Sequence, residues 1–515
     1  MIKMQILKIF LSFFCLFLFC LNTYSQSDYS SPVKKTTGFS QLPLSQQRAI
    51  LNKVAAPDIV DRDAPYSTPM YYLLCAGYRD GVGAMVGKGN LVLDRNRPDW
   101  QEDLMKDWVD LGLTATHFLT YPSQWEKAST VEAIENYFNI SEKYGMKIGI
   151  RLGGDKSFGG LEGSGWDLHP NNPENRIDEY VEWTKRVVRK GKGRVAYYIL
   201  GDELNLGGWE APTGDKGKTE GHRADEDKKW TPEIYMRVFP KLTTAIKNID
   251  PDVKVSMFGM GGLDWDYIDA LFKLGYGKYA DGVAANISNN SAEEIQHFVK
   301  KVTDVAPNFK FYSNGIGYVR AKNTNFYPTN TTGKYDDVEQ GIEVAKIIFR
   351  CFDAGWDSTP YYIVIRQWRL ADGTFAPHWY GLMGFTDLVL DADDNLTFIH
   401  FPAWYSFQTI SHVFYSKNKT KPAPFNMKLS TSVDFSRIYV RNNYECLIIL
   451  WNNRQGEESV SITLPTQKYI YPVKISLFNH RKVSDIPYQL EEKNRLLIQD
   501  IRIGRAPVII RLVAE

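Results

Sequence analysis

The chain has 515 residues and a mass of 59.0 kDa, which exceeds one ordinary domain of about 100–200 residues. Its 61 lysines and arginines nearly balance 60 aspartates and glutamates, which excludes a strongly basic nucleic-acid binder and an acidic solvating tail. With 43% hydrophobic and 23% charged residues, the composition is that of a folded globular protein. Aromatic residues make up 14%; flat rings in a cleft suit sugar faces, although most such rings serve a core.

The segment 1–25 has the three-part pattern of a secretory signal peptide. Lys3 and Lys8 make a basic start, 9–21 carries no charge, and small or polar residues follow up to Ser25. The uncharged run is shorter than the roughly 20 residues that span a bilayer, so a membrane anchor is the weaker alternative. We expect cleavage near Ser25 and a secreted or periplasmic protein with no integral membrane segment.

Removal of the signal peptide leaves Cys75, Cys351 and Cys446. Three widely spaced cysteines match neither a disulfide framework nor a zinc-binding pattern, so we expect small buried side chains. No set of histidines and carboxylates has the spacing of metal ligands. The sequence therefore predicts an ordinary hydrophobic core, no cofactor, no metal and no nucleic-acid partner.

A polar leader covers 26–66. After it, short apolar runs alternate along the chain with segments that have helical periodicity. Short apolar runs typical of buried strands occur at 71–75, 115–121, 147–152, 195–200, 253–258, 282–287, 309–313 and 361–367. Patterns typical of helices occur at 99–112, 131–144, 177–190, 232–249, 267–274, 292–305, 338–352 and 404–414. Thr231 and Ser291 are predicted N-caps of two of these helices.

Eight alternating strand–helix units predict an α/β fold, a (β/α)8 TIM barrel over 67–415. The rival is an open doubly wound sheet. That fold would need a glycine-rich phosphate turn after its first strand, and Gly77-Tyr78-Arg79-Asp80 does not supply one. The barrel is therefore the preferred interpretation.

The helical rhythm stops after residue 415. Short strands between turn signals are predicted at 435–440, 446–451, 460–464, 473–478, 496–501 and 508–512. This pattern predicts a small antiparallel β-sandwich over 416–515. Phe401 and Pro402 would open the last barrel helix, which would join the two domains.

Active sites of such barrels lie at the carboxyl ends of the strands, so the residues that follow each strand are the candidates. The acidic candidates are Asp155, Glu162, Asp202, Glu203, Asp264 and Asp266. The amide, aromatic and basic candidates for substrate binding are Trp166, Trp209, Trp265, Asn286, Asn314, Tyr318, Trp368 and Arg369. Carboxylates for proton transfer, amides for hydroxyl groups and rings for sugar faces indicate glycoside hydrolysis. The plainer alternatives are helix capping for the single aspartates and core packing for the tryptophans.

The sharpest signal is the stretch 197–205, Tyr-Tyr-Ile-Leu-Gly-Asp-Glu-Leu-Asn. A buried strand runs directly into Asp202 and Glu203, and uncompensated buried charge is costly, so this pair should face a polar cleft. Two neighbouring carboxylates repel each other, which favours keeping one of them protonated as a general acid near neutral pH.

This stretch resembles the fourth barrel strand of the clan-A glycoside hydrolases, in which a strand ends in Gly-Asn-Glu. The resemblance implies that Glu203 is the general acid/base. Asp202 replaces an asparagine whose amide binds the sugar 2-hydroxyl, and an aspartate can still accept that hydrogen bond. The segments 250–255, 280–283 and 401–405 also resemble such enzymes, where they lead into strands 5 and 6 and the last helix before a trailing sandwich.

Two departures from the clan-A pattern bear on mechanism. Strand 6 of many relatives ends in His-x-Tyr, whereas 285–288 reads Ala-Asn-Ile-Ser. Strand 7 of relatives delivers the nucleophile in a Thr-Glu-x-Gly pattern, which aligns Asn314 with the Thr and Gly315 with the Glu. A retaining double displacement needs a second carboxyl group about 5–5.5 Å from the first, so it cannot run here in its usual form.

Three interpretations remain open. A second carboxylate from another strand end, with Asp155 and Asp264 preferred, would fit an inverting geometry. A substrate-assisted reaction is the second, because an adjacent Asp-Glu pair also resembles the hexosaminidase arrangement. The third is a carbohydrate-binding barrel without catalysis. We expect a secreted glycoside hydrolase acting on an oligo- or polysaccharide, with the sugar, the linkage and the oligomeric state left open.

Overall fold

The computed structural model describes a defined set of residues. These are 43, 46, 66–71, 98–113, 115–120, 122, 125, 128–153, 177–202, 204–206, 230–287, 290–316, 337–356, 358–361, 365–369, 375–377, 386–390, 396–414, 420–441, 444–454, 456–466, 468–492 and 494–514. The predicted signal peptide and nearly all of the predicted leader lie outside them.

Eight parallel strands of the described chain form a closed barrel, in which β8 returns to pair with β1. The strands are β1 Tyr66–Tyr71, β2 Ala115–Thr120, β3 Lys147–Leu152, β4 Val195–Asp202, β5 Lys254–Met260, β6 Gly282–Ile287, β7 Lys310–Ile316 and β8 Ser358–Tyr361. The helices are α1 Pro98–Leu111, α2 Ala128–Lys143, α3 Ile177–Gly191, α4 Pro232–Ile249, α5 Trp265–Lys273, α6 Ala292–Val305, α7 Asp337–Asp353 and α8 Pro402–Phe414. The predicted fold class is confirmed.

Local sequence signals place several helix starts. The Thr231 side chain accepts a hydrogen bond from the backbone N–H of Ile234, and Pro232 occupies the first turn of α4. Ser291 and Glu294 form a reciprocal capping box at the start of α6. Both predicted N-caps are confirmed.

The first and last barrel strands differ from the prediction. β1 covers Tyr66–Tyr71 and so begins before the predicted run at 71–75, of which 72–75 lies outside the described residues. Pro69 disguises this early part of the strand, because proline is unusual inside a ladder. β8 covers Ser358–Tyr361, whereas the sequence predicts a strand over 361–367, of which 365–367 belong to a different sheet. Hydrophobicity alone does not show that a run such as 361–367 is divided between two sheets.

The second half of the run at 361–367 belongs to a four-stranded sheet that the sequence did not predict. In the described chain it has the order β10-β9-β11-β12 and lies between β8 and α8 along the sequence. Its strands are β9 Ile365–Arg369, β10 Phe375–Pro377, β11 Thr386–Leu390 and β12 Leu396–His400. Phe398 of β12 packs against the main hydrophobic core, so one face of this sheet lies on the barrel domain.

The C-terminal part forms two antiparallel sheets in the residues described, as a β-sandwich requires. One sheet has the order β13-β15-β16-β22-β18-β19 and the other β14-β17-β21-β20. The strands are β13 Thr420–Pro422, β14 Lys428–Leu429, β15 Phe435–Arg441, β16 Glu445–Trp451, β17 Glu458–Leu464, β18 Tyr469–Ser476, β19 Asn479–Asp485, β20 Tyr488–Glu491, β21 Arg495–Ile503 and β22 Val508–Ala514.

Strand β16 shows how the sandwich is joined to the barrel. Its residues are buried on both faces. Cys446, Ile448 and Leu450 belong to the core between the two sheets. The alternate residues Leu447, Ile449 and Trp451 belong to the core shared with the barrel helices. The outer face of the larger sheet is therefore an internal surface of the protein.

Polar contacts surround this shared core. The carboxylate of Asp353 on α7 accepts hydrogen bonds from Arg437 Nε (2.7 Å) and the Tyr439 hydroxyl (2.8 Å). Lys346, only 1% exposed, donates to Glu343 (2.8 Å) and to Asn453 of the sandwich (3.1 Å). These bonds satisfy charges that the interface would otherwise bury at a cost.

The two described cysteines, Cys351 and Cys446, are buried and unpaired with each other, as expected. Burial raises the pKa of both thiols, so they stay neutral and behave as small hydrophobic side chains. Cys75 lies outside the described residues.

We expect Trp451→Ala to lower the free energy of unfolding by about 3–5 kcal/mol, the usual cost of deleting a buried tryptophan. Trp451 is 1% exposed and stacks on Phe435 with ring centroids 3.8 Å apart. Since it belongs to the core shared by both domains, urea unfolding followed by fluorescence and far-UV circular dichroism should shift as one transition. Tyr444→Ala, at a 51% exposed position, should change the free energy by less than about 0.5 kcal/mol. Equal losses in the two variants would contradict the shared core.

A pair of histidines lies where α8 meets the sandwich. The rings of His412 and His480 stack with centroids 4.6 Å apart, and His412 Nε2 lies 2.9 Å from the Asp110 carbonyl oxygen of α1. Burial lowers the pKa of His480 from 6.5 to about 4; His412 and Arg481 act in the same direction, and Asp110 opposes them. The folded state therefore binds fewer protons than the unfolded state between these two values.

Acidification from about pH 6.5 to pH 4 should accordingly lower the free energy of unfolding, because protons bind the unfolded state preferentially in this range. His480→Gln should weaken that dependence without abolishing it, because burial and Arg151 also lower the pKa of His117. The measurement is urea unfolding at a series of pH values. His297→Gln, at an exposed position, is the control and should keep the wild-type slope. An unchanged slope in His480→Gln would refute this assignment.

Candidate active site

The structure describes the candidate residues to different extents. Asp264, Trp265, Asp266 and Asn286 are described with their side chains. For Asp202, Asn314, Trp368 and Arg369 only the position in a strand is described. The remaining candidates lie outside the described residues: Asp155, Glu162, Trp166, Glu203, Trp209 and Tyr318.

Two tyrosines fill the middle of the barrel. Tyr197 of β4 and Tyr312 of β7 stack with ring centroids 4.4 Å apart, in an interior cluster with Ile199 and two alanines. His117 of β2 lies within hydrogen-bond distance of the Tyr197 hydroxyl, 3.0 Å from Nδ1. Burial lowers the pKa of His117 well below its usual value, and the Arg151 charge adds to this, so the imidazole is neutral.

Pairing between strands extends this interior face around the barrel. Residues paired across neighbouring parallel strands share a face, and side chains alternate along each strand. Met70 pairs with His117, and Gly149 pairs with both His117 and Tyr197. The register thus carries one inward-facing row from β2 to β4.

The same alternation leads toward the carboxyl ends of the strands, where the barrel mouth lies. On β4, Gly201 has the parity of Tyr197, and β4 keeps its two-residue step against β5 up to Asp202. β4 ends at Asp202. On β6, Asn286 has the parity of Ala284, which belongs to the interior cluster.

An irregularity in β7 decides which of its residues joins this row. Ser313 pairs with Ala285 and Gly315 pairs with Asn286, so Asn314 is an extra residue between them. The pairing with β8 agrees, because Tyr312 pairs with Ser358 and Ile316 with Tyr361. Bulges of this kind change which residue faces a site. The inward row of β7 near the mouth is occupied by Gly315, which has no side chain.

Asp264 caps helix α5 at the end of β5. Its Oδ1 accepts a hydrogen bond from the Tyr267 N–H (3.1 Å), and its Oδ2 lies 3.4 Å from Asn205 Nδ2. Asp266 is exposed in the first turn of α5, where its negative charge interacts favourably with the helix dipole. This geometry matches the capping alternative for Asp264; its role as a second catalytic carboxylate stays a prediction.

The two described tryptophan candidates, Trp265 and Trp368, lie in different parts of the fold. Trp265 is partly buried against the main core, and Lys301 Nζ lies 4.9 Å from the centroid of its ring. Trp368 belongs to β9, not to β8, and pairs with Leu388, which in turn pairs with Phe398. Arg369 pairs with Val389 in the same sheet.

Sequence reasoning missed Asn205. It ends the quoted stretch 197–205, is 6% exposed, and lies in the 3₁₀ turn Leu204–Leu206 directly after Glu203. The local signal for it was an asparagine two residues after a candidate acid. Its partners lie near residue 261, so the contact could not be inferred from nearby sequence.

Two negative observations concern the described chain. Within the described residues, no helix combines the length and apolar character that a bilayer crossing requires. In that same part of the protein, no three histidine, cysteine, aspartate or glutamate side chains are grouped as metal ligands.

Comparison of folds finds glycoside hydrolases. A GH30 endoxylanase from Clostridium papyrosolvens C71 has a TM-score of 0.52 at 9% identity, covering 89% of this chain and 98% of its own. A GH39 enzyme from Xanthomonas axonopodis pv. citri has a TM-score of 0.49 at 13% identity, covering 90% and 96%. A monomeric β-xylosidase from Caulobacter crescentus CB15 has a TM-score of 0.49 at 14% identity, covering 89% and 97%.

The fold is assigned from the similarity to the GH30 endoxylanase. The chain shares the fold of this endoxylanase, a TIM barrel followed by a β-sandwich, which is the fold that the sequence resemblance implies. No protein-family model and no curated protein sequence matches the chain.

Replacement of Asp264 should distinguish a helix cap from a residue with no structural role. Asp264→Ala removes the acceptor for Tyr267 N–H, and we expect the free energy of unfolding to fall by about 0.5–2 kcal/mol. Asp264→Ser should recover most of this loss, since serine is a comparable N-cap. Urea denaturation measures both. Equal destabilisation by alanine and serine would contradict the capping role.

Proposed function

We propose that the protein is a secreted glycoside hydrolase that cleaves an oligo- or polysaccharide, with Glu203 as the proton donor. The observation that carries this proposal is the end of β4 at Asp202 within a closed barrel, because Glu203 then follows at the carboxyl edge of the sheet. The fold shared with the GH30 endoxylanase supports the same class of reaction.

In the proposed reaction, Glu203 protonates the glycosidic oxygen as the bond from that oxygen to the anomeric carbon breaks. A water molecule attacks the anomeric carbon from the opposite face and loses its proton to a second carboxylate. Asp155 is our first choice for that base, because it follows β3 closely in the sequence; Asp264, which follows β5, is the second. Asp202 would accept a hydrogen bond from a sugar hydroxyl.

Gly315 on the inward row of β7 supports a route without a carboxylate from strand 7. It favours single displacement with inversion, because double displacement requires a carboxylate nucleophile at that distance from the acid. Asn286 and Asn314 are proposed to bind sugar hydroxyls, and Trp166, Trp209, Trp265, Tyr318, Trp368 and Arg369 to line the remaining substrate-binding surface.

A non-catalytic carbohydrate-binding barrel is the second candidate function. Gly315 also favours this alternative, since a barrel that lost its nucleophile would keep the same fold. The adjacent Asp202 and Glu203 leave a substrate-assisted reaction as a third outcome, which would confine cleavage to 2-acetamido sugars. Activity separates the enzyme from the binding protein.

We expect the mature protein to hydrolyse a member of a panel of aryl glycosides and polysaccharides that includes xylan and 2-acetamido sugars. Glu203→Gln should lower the rate by about 10²–10⁴-fold, the usual contribution of a positioned acid, and leave sugar binding intact. Glu293→Gln, at an exposed position on α6, is the control and should keep wild-type activity.

Wild-type activity in Glu203→Gln would remove Glu203 from the mechanism. Sugar binding by the wild type without turnover of any panel member would favour the binding-protein alternative.

A further inference from the structure

The turn that follows Glu203 is tied to two other parts of the barrel rim. The carbonyl of Leu204 accepts a hydrogen bond from the Trp230 N–H at 2.9 Å. The carbonyl of Trp230 accepts another from the Tyr267 hydroxyl at 2.5 Å. Leu204 and Trp230 are fully buried. The segment before α4 and the first turn of α5 thus hold the residue immediately after Glu203.

The side chain of Asn205 adds a direct connection to the end of β5. Its Oδ1 accepts a hydrogen bond from the Gly261 N–H at 3.0 Å, and its Nδ2 lies 3.4 Å from the Gly261 carbonyl oxygen. The same Nδ2 lies 3.4 Å from Asp264 Oδ2. The amide therefore meets both backbone groups of one residue, as a neighbouring strand would. It continues the β4–β5 connection beyond the last ladder pair, Asp202 with Gly259.

Glu203 is thus bracketed along the chain by fixed neighbours. Asp202 is held in the ladder to Gly259, and Leu204 and Asn205 are held to Trp230 and Gly261. Consecutive Cα atoms are about 3.8 Å apart, so anchoring both sides limits where the backbone at 203 can lie.

We propose that Asn205 is the positioning residue for the acid/base Glu203, acting by fastening the turn after Glu203 to the β5–α5 loop. This inference rests on the proposed function. A general acid works within about 2.6–3.2 Å of the atom it protonates, and a displacement of about 1 Å can cost about 10²-fold in rate. Asn205 does not itself contact the reacting atoms in this role.

The test uses two aryl glycosides of the sugar that the wild type hydrolyses, one with a phenol leaving group and one with 2,4-dinitrophenol. Phenol departs only when protonated, whereas 2,4-dinitrophenolate needs little help from an acid. We expect Asn205→Ala to lower kcat on the phenyl glycoside by about 10–100-fold, with a change below about 3-fold on the dinitrophenyl glycoside. KM should change little on either substrate. The loss of kcat on the alkaline side of the pH profile, where the acid is deprotonated, should become less steep in this variant.

Asn452→Ala is the matched control for stability. Asn452 is also a buried asparagine, 2% exposed, whose side chain bonds to Arg454 N–H and Glu458 in the sandwich. It should lower Tm as Asn205→Ala does, yet leave the leaving-group dependence and the pH profile of the folded fraction unchanged.

The outcomes distinguish a failure of the positioning role of Asn205 from a failure of the proposed glycoside hydrolase function. If Glu203→Gln abolishes turnover of the phenyl glycoside but Asn205→Ala affects both leaving groups equally, or neither, the positioning role of Asn205 is wrong and the function stands. If the wild type hydrolyses no glycoside, or Glu203→Gln is as active as the wild type, the proposed function fails and the role of Asn205 fails with it.

Discussion

The space inside the barrel is the constraint on which the site depends. The stacked rings of Tyr197 and Tyr312 occupy its middle, and neighbouring strands carry glycine where those rings pass. A Cβ at Gly149 would lie 2.2 Å from the Tyr197 ring, and one at Gly282 would lie 2.4 Å from the Lys310 carbonyl oxygen and 2.9 Å from the Tyr312 ring. Protein interiors do not tolerate such overlap, so the aromatic pair and the two glycines belong together.

The inward-facing tyrosines also determine which residues of β4 and β7 lie near the barrel mouth. Tyr197 faces inward on β4, this strand ends at Asp202, and Glu203 is the next residue in the sequence. Because Tyr312 faces inward and Asn314 is an extra residue, β7 brings Gly315 to the row of Asn286. The chemistry proposed at the mouth therefore follows from the two acidic residues at and just after the end of β4 and from one glycine on β7.

Some of this arrangement could be predicted from local sequence. Helices with side-chain caps at Thr231 and Ser291 start where predicted, since a cap is formed by residues a few positions apart. The barrel and the sandwich follow from the change in hydrophobic rhythm. Features that need distant pairing were not predictable. The bulge at Asn314 exists only relative to β6 and β8, and the division of the run near Tyr361 depends on which sheet each half joins.

The same reasoning explains why the candidate site was only partly predictable. A carboxylate after a strand marks the rim, but its partners decide its role: Asp264 binds Tyr267 N–H and lies beside Asn205, a residue 59 positions away. Trp368 follows an apolar run as a mouth residue would, yet its pairing with Leu388 places it in a separate sheet.

The anomeric configuration of the first sugar released tests most directly the proposal that β7, which contains no acidic residue, supplies no nucleophile. It can be read by ¹H NMR during the first turnovers, before the anomers equilibrate, with a substrate that lacks a 2-acetamido group. Without a nucleophile on β7, the released hemiacetal should have the configuration opposite to that of the bond cleaved. A product of retained configuration from that substrate would contradict single displacement at this site.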